Sequence, residues 1–257
     1  MYKTIDELGK EVFDQKNAKF LTGHKEFDEF CNGFNPGELI SITGKAGSAA
    51  EVLFDNLALR ISETGDVLLF KHKISEQTFK KQIAKNLGTT NSDYFLDRSL
   101  SLNYAFDVFF IEEIEKSVAE FTRKFPEGII FISTLQSLFL SKEISHLSRE
   151  EEIKRIIFNL KRIASLHKVP VIIYSNINTP EENSDIPACL SDLDCFGEAQ
   201  RAFDKIIFTY WPAYYNKPPS IFPDDIKVTI AGGAKSKYGA FDLELIYPKY
   251  KIHFDQC

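Results

Sequence analysis

Short apolar runs alternate with amphipathic segments along most of this chain. Residues 38–43 (Glu-Leu-Ile-Ser-Ile-Thr) predict a buried strand ended by Gly44, and residues 48–62 predict a helix. A second strand is predicted over 66–70, followed by a helix that Ser75 caps, that runs to Leu87 and that Gly88 stops. A helix over 111–124 leads into a strand over 129–132. Ser148 and Glu151 form a capping box, in which each side chain bonds the other's backbone N–H. After it, Ile153, Ile156, Ile157, Leu160, Ile163 and Ala164 share one helical face. Residues 169–174 read as another all-apolar strand, and strands over 205–211, 226–231, 241–247 and 250–254 follow with no long helix between them.

All-apolar strands joined by amphipathic helices are the pattern of a parallel sheet covered on both faces. The expected fold class is therefore α/β, a mostly parallel sheet flanked by helices. The closing strands, with Tyr247-Pro248-Lys249-Tyr250 as a tight connection, add an antiparallel hairpin at one edge. Ahead of this body, Thr4 and Glu7 form a capping box, and Ile5, Leu8, Val12 and Phe13 fall on one face. The expected division is a short helix in residues 1–19 and one domain over 20–257. No Pro/Gly/Ser-rich linker splits that domain, and the stretch 178–192 reads as a surface loop within it.

With 44% hydrophobic residues in 257, the chain can build one large core. Its net charge of −6 runs against tight duplex binding, which relies on cations that displace counterions from phosphate. A single copy is expected to bind single-stranded DNA weakly or not at all. Cys31, Cys189, Cys195 and Cys257 form no C-x-x-C pair and have no histidine at metal-ligand spacing, so free thiols and no metal site are expected. His24, His72, His146, His167 and His253 are scattered, none beside a nucleophile. No apolar run is long enough to span a bilayer, and Met1-Tyr2-Lys3-Thr4 opens no apolar signal region. A soluble cytoplasmic protein with no membrane partner is expected.

Ligands of open α/β sheets bind beyond the carboxyl ends of the strands. Here the loop after the first strand reads Gly44-Lys45-Ala46-Gly47-Ser48-Ala49-Ala50-Glu51, the position of a phosphate-binding P-loop. The working pattern is G-x-x-x-x-G-K-[ST]. Gly44 fits it, but Ala49, Ala50 and Glu51 stand where glycine, lysine and a hydroxyl residue are needed. Alanine cannot neutralise β- and γ-phosphates, and Glu51 sets a carboxylate where a hydroxyl would hold Mg²⁺. Lys45 and the helix N-terminus retain some capacity to hold an anion weakly.

These residues lie within a wider pattern that resembles the C-terminal ATPase domain of DnaB-type replicative helicases, which has a RecA-like P-loop NTPase fold. Leu21-Thr22-Gly23-His24 and Phe34-Asn35-Pro36-Gly37-Glu38-Leu39-Ile40 are similar to the segment leading into that family's P-loop strand. Leu135-Gln136, the run Val169 to Asn178, Leu190-Ser191-Asp192-Leu193, the run Ile206 to Tyr210 with Tyr214-Tyr215, and Ile230-Ala231 with Gly239 follow in the family's order. The resemblance covers about residues 20–254. It implies an ATP- and Mg²⁺-dependent ring helicase as the ancestral activity. It also implies that the chain lacks the N-terminal helical domain of full-length members. Residues 1–19 sit where the family's linker helix docks on an adjacent subunit, which implies a homo-oligomeric ring or a replication-type protein partner.

The family's site is rewritten in this sequence. Ser133 stands at the Walker B aspartate, Lys73 at the catalytic glutamate and Asn176 at the γ-phosphate-sensing glutamine, while Gln136 is kept. Gly232 and Ala234 replace the basic residues of the last loop, although Lys235 and Lys237 lie near. Lys142 and Arg149, with Lys235 and Lys237, are the candidates for nucleic-acid contact, and glutamates interleave the first two. Trp211, Tyr214 and Tyr215 are expected as an aromatic cluster near the sheet edge. Losses that act as a unit imply a domain that no longer hydrolyses ATP and acts by binding, with no cofactor. The alternatives are a divergent active helicase that uses Lys45 and Lys73 in new roles, and a RecA/KaiC-like regulatory module. Glu51 and Lys73 are expected to face the vacant site and to pair there, directly or through water.

Overall fold

The computed structural model describes residues 20–72, 74–87, 101–141, 147–177, 186–215, 225–230, 239–246 and 251–252. The helix expected within residues 1–19, Lys73, Lys142, Lys235, Lys237 and the connection at 247–250 lie outside them.

Nine described strands form one sheet in the order β3-β2-β4-β5-β1-β6-β7-β8-β9. They are β1 (Leu39–Lys45), β2 (Val67–Lys71), β3 (Leu102–Phe106), β4 (Ile129–Ser133), β5 (Val171–Ile177), β6 (Lys205–Tyr210), β7 (Asp225–Ile230), β8 (Gly239–Ile246) and β9 (Lys251–Ile252). The first six run parallel, and β7, β8 and β9 add on antiparallel beyond β6. The α/β class with an antiparallel edge is as the hydrophobic pattern predicts.

Six described helices accompany the sheet: α1 (Lys25–Cys31), α2 (Ala50–Ser62), α3 (Glu76–Leu87), α4 (Ile111–Lys124), α5 (Arg149–His167) and the single turn α6 (Pro212–Tyr215). Two buried clusters lie on opposite faces. One gathers Leu53, Phe54 and Leu57 of α2 with Ile40, Ile42, Val67, Leu69, Phe131 and Ile172 of the strands. The other gathers Ile114 and Val118 of α4 and Ile156, Leu160 and Ile163 of α5 with Leu68, Phe70, Ile130 and Ile173. Both faces being dry explains why the central strands are apolar at every position rather than alternating.

Several expectations shift. β1 continues through Gly44 to Lys45 because parallel pairing with β5 extends to Lys45 and Ile177. β3 and α1 do not show in the sequence pattern, and neither does the 3₁₀ stretch Leu190–Ala202, part of which falls in the segment read as a loop. α5 carries the capping box as predicted: Ser148 accepts from the Glu151 N–H, and Glu151 accepts from the Ser148 N–H at 3.0 Å.

Candidate functional site

Strand parity decides which side chains reach the cleft above β1. Side chains alternate between faces along a strand. Val67 and Leu69 pack with α2, so Lys71 does too; Ile129 and Phe131 carry Ser133 to that face, and Ile172 and Tyr174 carry Asn176. Asn176 stands beside Gly44 in the β1–β5 register, which sets it at the mouth of the Gly44–Glu51 loop.

The Gly44–Glu51 loop turns through two left-handed residues. Gly47 has φ +81°, and a Cβ there would lie 2.0 Å from Cε1 of Tyr214. Ala49, at the second glycine position of the motif, is also left-handed (φ 64°, ψ 19°), a region that L-residues enter at a cost of about 1–2 kcal/mol. Ser48 turns inward, where its hydroxyl accepts from Thr209 at 3.2 Å. A cavity of about 260 Å³ remains, lined by residues 45–52 with Tyr174, Asn176, Trp211 and Tyr214. It is smaller than the roughly 300–1,000 Å³ usual for small-molecule sites.

The aromatic cluster lies over this loop, not at the sheet edge, because β6 is an interior strand between β1 and β7. Trp211 and Tyr214 stack at 6.0 Å, Tyr210 and Tyr215 at 5.3 Å, and the Tyr215 hydroxyl donates to the Ala46 carbonyl. Burial and the neighbouring tyrosines push the Tyr215 hydroxyl up to about 12.

Glu51 does pair with a lysine, and that lysine is Lys71; Lys73 lies outside the described residues. The Lys71 ammonium, 2% exposed, is 3.2 Å from Glu51 and 2.6 Å from Asp55. Burial works against the charged form of Lys71, but the Asp55 and Glu51 carboxylates outweigh it and hold the ammonium above its ordinary range. Burial pushes the Asp55 carboxyl up, and Lys71 offsets only part of that. Burial and the Glu51 carboxylate likewise raise the Tyr174 hydroxyl, which donates to Oδ1 of Asn176. Sequence reasoning misses both Asp55 and Lys71, because their meeting depends on the face to which β2 turns Lys71 and on the phase of α2 against it.

Ser133 is buried at the end of β4, and its carbonyl faces Nδ1 of His72, whose Nε2 lies 2.6 Å from the Val108 carbonyl. Gln136 and Asn176 meet: Nε2 of Gln136 donates to the Asn176 carbonyl at 2.8 Å, and its Oε1 accepts from the Asn176 N–H at 3.2 Å. Arg149 braces the same region, donating to the Gln136 and Leu138 carbonyls at 3.0 and 2.8 Å and lying over Phe139. Among the described residues, no group of three or more His, Cys, Asp or Glu is gathered to hold a metal, and no helix is long and apolar enough to cross a membrane.

An open sheet with its loop-to-helix cleft beyond β1 defines the RecA-like P-loop class of α/β domains. Within that class, a model of the DnaB-like helicase C terminal domain matches residues 106–255, more than half of the chain, and the chain belongs to that family. It is similar to the replicative DNA helicase DnaB of Geobacillus stearothermophilus, at 24% identity over 257 residues, 88% of this chain and 54% of the relative. The DnaB of Mycoplasma genitalium is 23% identical over 216 residues, 74% of this chain and 46% of that protein. The chain thus spans about half the length of the curated relatives it matches. Among solved structures, an isolated ATPase domain superposes with a TM-score of 0.85 at 21% identity, covering 98% of this chain and 99% of that one. A DnaB-like replicative helicase, whose interactions with primase were described with its structure, superposes at 0.83 and 21% identity, covering 98% and 67%.

Proposed function

We propose that this domain serves DNA replication or recombination as a DnaB-like module that binds protein or nucleic acid and does not turn over ATP. The observation that carries the reading is the Glu51–Lys71 contact. The position that would hold the metal's hydroxyl ligand instead presents a carboxylate, and that carboxylate is committed to a buried ammonium. Ala50 offers no cation to a phosphate, and Ser133 is a neutral hydroxyl, 1% exposed, where the family has its aspartate. These donors do not suit a magnesium-bound triphosphate, and they supply no route to its hydrolysis. Each such group is usually worth orders of magnitude in rate, and groups that work as a unit fail together.

In this reading the domain acts by binding, as a ring member or as a partner of a replication protein. Replicative helicases among its relatives motivate that choice. Purified protein should release no phosphate from Mg-ATP above a no-enzyme control, with or without single-stranded DNA. Turnover at rates of the order of 1 s⁻¹, usual for enzymes, would overturn the reading. Mass in solution, measured with and without ATP, reports assembly and its nucleotide dependence together.

A further inference from the structure

We propose that residues 1–19 dock, within the same molecule, into a cavity at the amino ends of β2 and β4, so that the chain masks its own amphipathic segment. The cavity is at the end of the sheet opposite the Gly44–Glu51 loop: Gly65 and Asp66 lead into β2, and Glu127 leads into β4.

Its volume is about 510 Å³, larger than the cavity at the loop. Phe20, Leu21 and Gly65 give it an apolar wall, and Arg60, Asp66 and Glu127 a charged one. Leu21 is 56% exposed there, an apolar side chain that gains by being covered. The segment ahead of Phe20 can supply the cover. Its sequence sets Ile5, Leu8, Val12 and Phe13 on one helical face, which needs an apolar surface to pack on. In its connection to Phe20, Lys16 and Lys19 outnumber Asp14, a balance opposite in sign to Asp66 and Glu127. Arg60 does not cancel that match, because its guanidinium pairs with Glu63 at 2.7 Å and donates to the Thr22 carbonyl at 3.3 Å.

Attachment decides whose segment binds. Phe20 exchanges backbone hydrogen bonds with Phe34 at 3.2 and 2.9 Å, and its ring closes on Gly65, where a Cβ would lie 2.6 Å away. The segment therefore leaves from the cavity's own wall, and only residues 14–19 separate Phe13 from it. A connection of that length reaches at most about 20 Å. Such short tethers give effective concentrations of about millimolar, so a second copy at micromolar concentration competes at a disadvantage of about a thousandfold.

The test titrates a labelled peptide of residues 1–19 into the full chain and follows its anisotropy. The parent, whose cavity is filled from within, should bind the peptide at least about tenfold more weakly than Val12→Ser/Phe13→Ser, whose own segment no longer competes. Leu21→Asp, added to that variant, should abolish the binding; Leu21 is exposed, so the change leaves the core intact. Equal affinity in the parent and the double variant overturns the proposal, as does no binding by either. Peptide binding that Leu21→Asp leaves unchanged also overturns it. Light scattering over micromolar concentrations separates the two modes of docking. Val12→Ser/Phe13→Ser should leave the chain's state of association unchanged. A parent complex that this variant dissolves would put the segment on another copy and overturn the proposal too.

Discussion

The Lys71 ammonium, at the end of β2, lies 2.6 Å from the Asp55 carboxylate one turn into α2. This pair ties the strand to the helix beneath the cleft, with the ammonium buried and the carboxylate largely so. Removing one partner of a buried pair strands the other, which typically costs about 3–5 kcal/mol. Lys71→Met should therefore destabilise the domain strongly in a urea melt, although partial access of Asp55 to solvent pulls the figure toward the low end.

The pH dependence of that deficit has a definite sign. Asp55's carboxyl is held above its ordinary value, so the folded state binds this proton more tightly than the unfolded chain does. Its charged form subtracts stability at neutral pH, and the loss is relieved as pH falls through the raised folded value. Without the ammonium the effect is larger. The gap between Lys71→Met and the parent should narrow from pH 7 to pH 5. A gap that is constant or widens over that range would contradict this account of the pair.

Ala49 permits a second comparison. Its left-handed backbone has no side-chain cap hydrogen bond to compensate it. Ala49→Gly should stabilise the domain by about 0.5–1 kcal/mol, the relief of αL strain less the extra freedom of glycine when unfolded. Gly47→Ala should do the reverse by about 1–3 kcal/mol, because φ is positive there too and the new Cβ meets the Tyr214 ring. Paired thermal melts check both, and equal shifts of the same sign would mean that the loop backbone differs from the one described.

A third prediction concerns the opposite end of the sheet. Lys205 and Glu38 are both fully buried, 2.5 Å apart; Lys205 also donates to the Gly33 carbonyl, and Glu38 accepts from the Asn35 N–H. Lys205→Met should cost about 3–5 kcal/mol by leaving Glu38 unpaired, whereas Glu38→Leu/Lys205→Met should recover much of it. Urea melts of both single variants and the double give the coupling directly. Additive losses would show that the pair is not coupled.

The central strands are legible because their burial on both faces writes itself as unbroken apolar runs. β3 is not: Leu-Asn-Tyr-Ala-Phe is an edge strand of half-buried residues, and its pattern lacks either signature. α1 is too short for a period to show, and the stretch Leu190–Ala202 changes direction at Gly197, so it has none. At the site, the family pattern places the loop, Ser133, Gln136 and Asn176 along the chain. It cannot say which lysine meets Glu51, because that depends on the face to which β2 turns Lys71. The Asp55 contact is similarly a product of helix phase against strand parity, two periods that meet only in the fold.

Arg149 separates a structural cation from a nucleic-acid contact. The sequence makes it a candidate for nucleic-acid contact. Its guanidinium is occupied by the Gln136 and Leu138 carbonyls, pairs with Glu152 and lies 4.7 Å from the Phe139 ring centroid. A cation that binds phosphate must be able to exchange its partners for it, and exchange here would take Arg149 from two carbonyls and from its pairing with Glu152. Arg149→Ala should therefore lower unfolding free energy by about 1–3 kcal/mol, through lost charge-assisted bonds, rather than weaken DNA binding. Labelled single-stranded oligonucleotide, followed by anisotropy at 50 and at 200 mM salt, should bind the parent and the variant equally weakly. A true phosphate contact would show as lower affinity and a salt slope shallower by about 0.7, the change expected for one single-strand phosphate, with stability left unaltered. That combination would move Arg149 from the brace of this loop to its binding face.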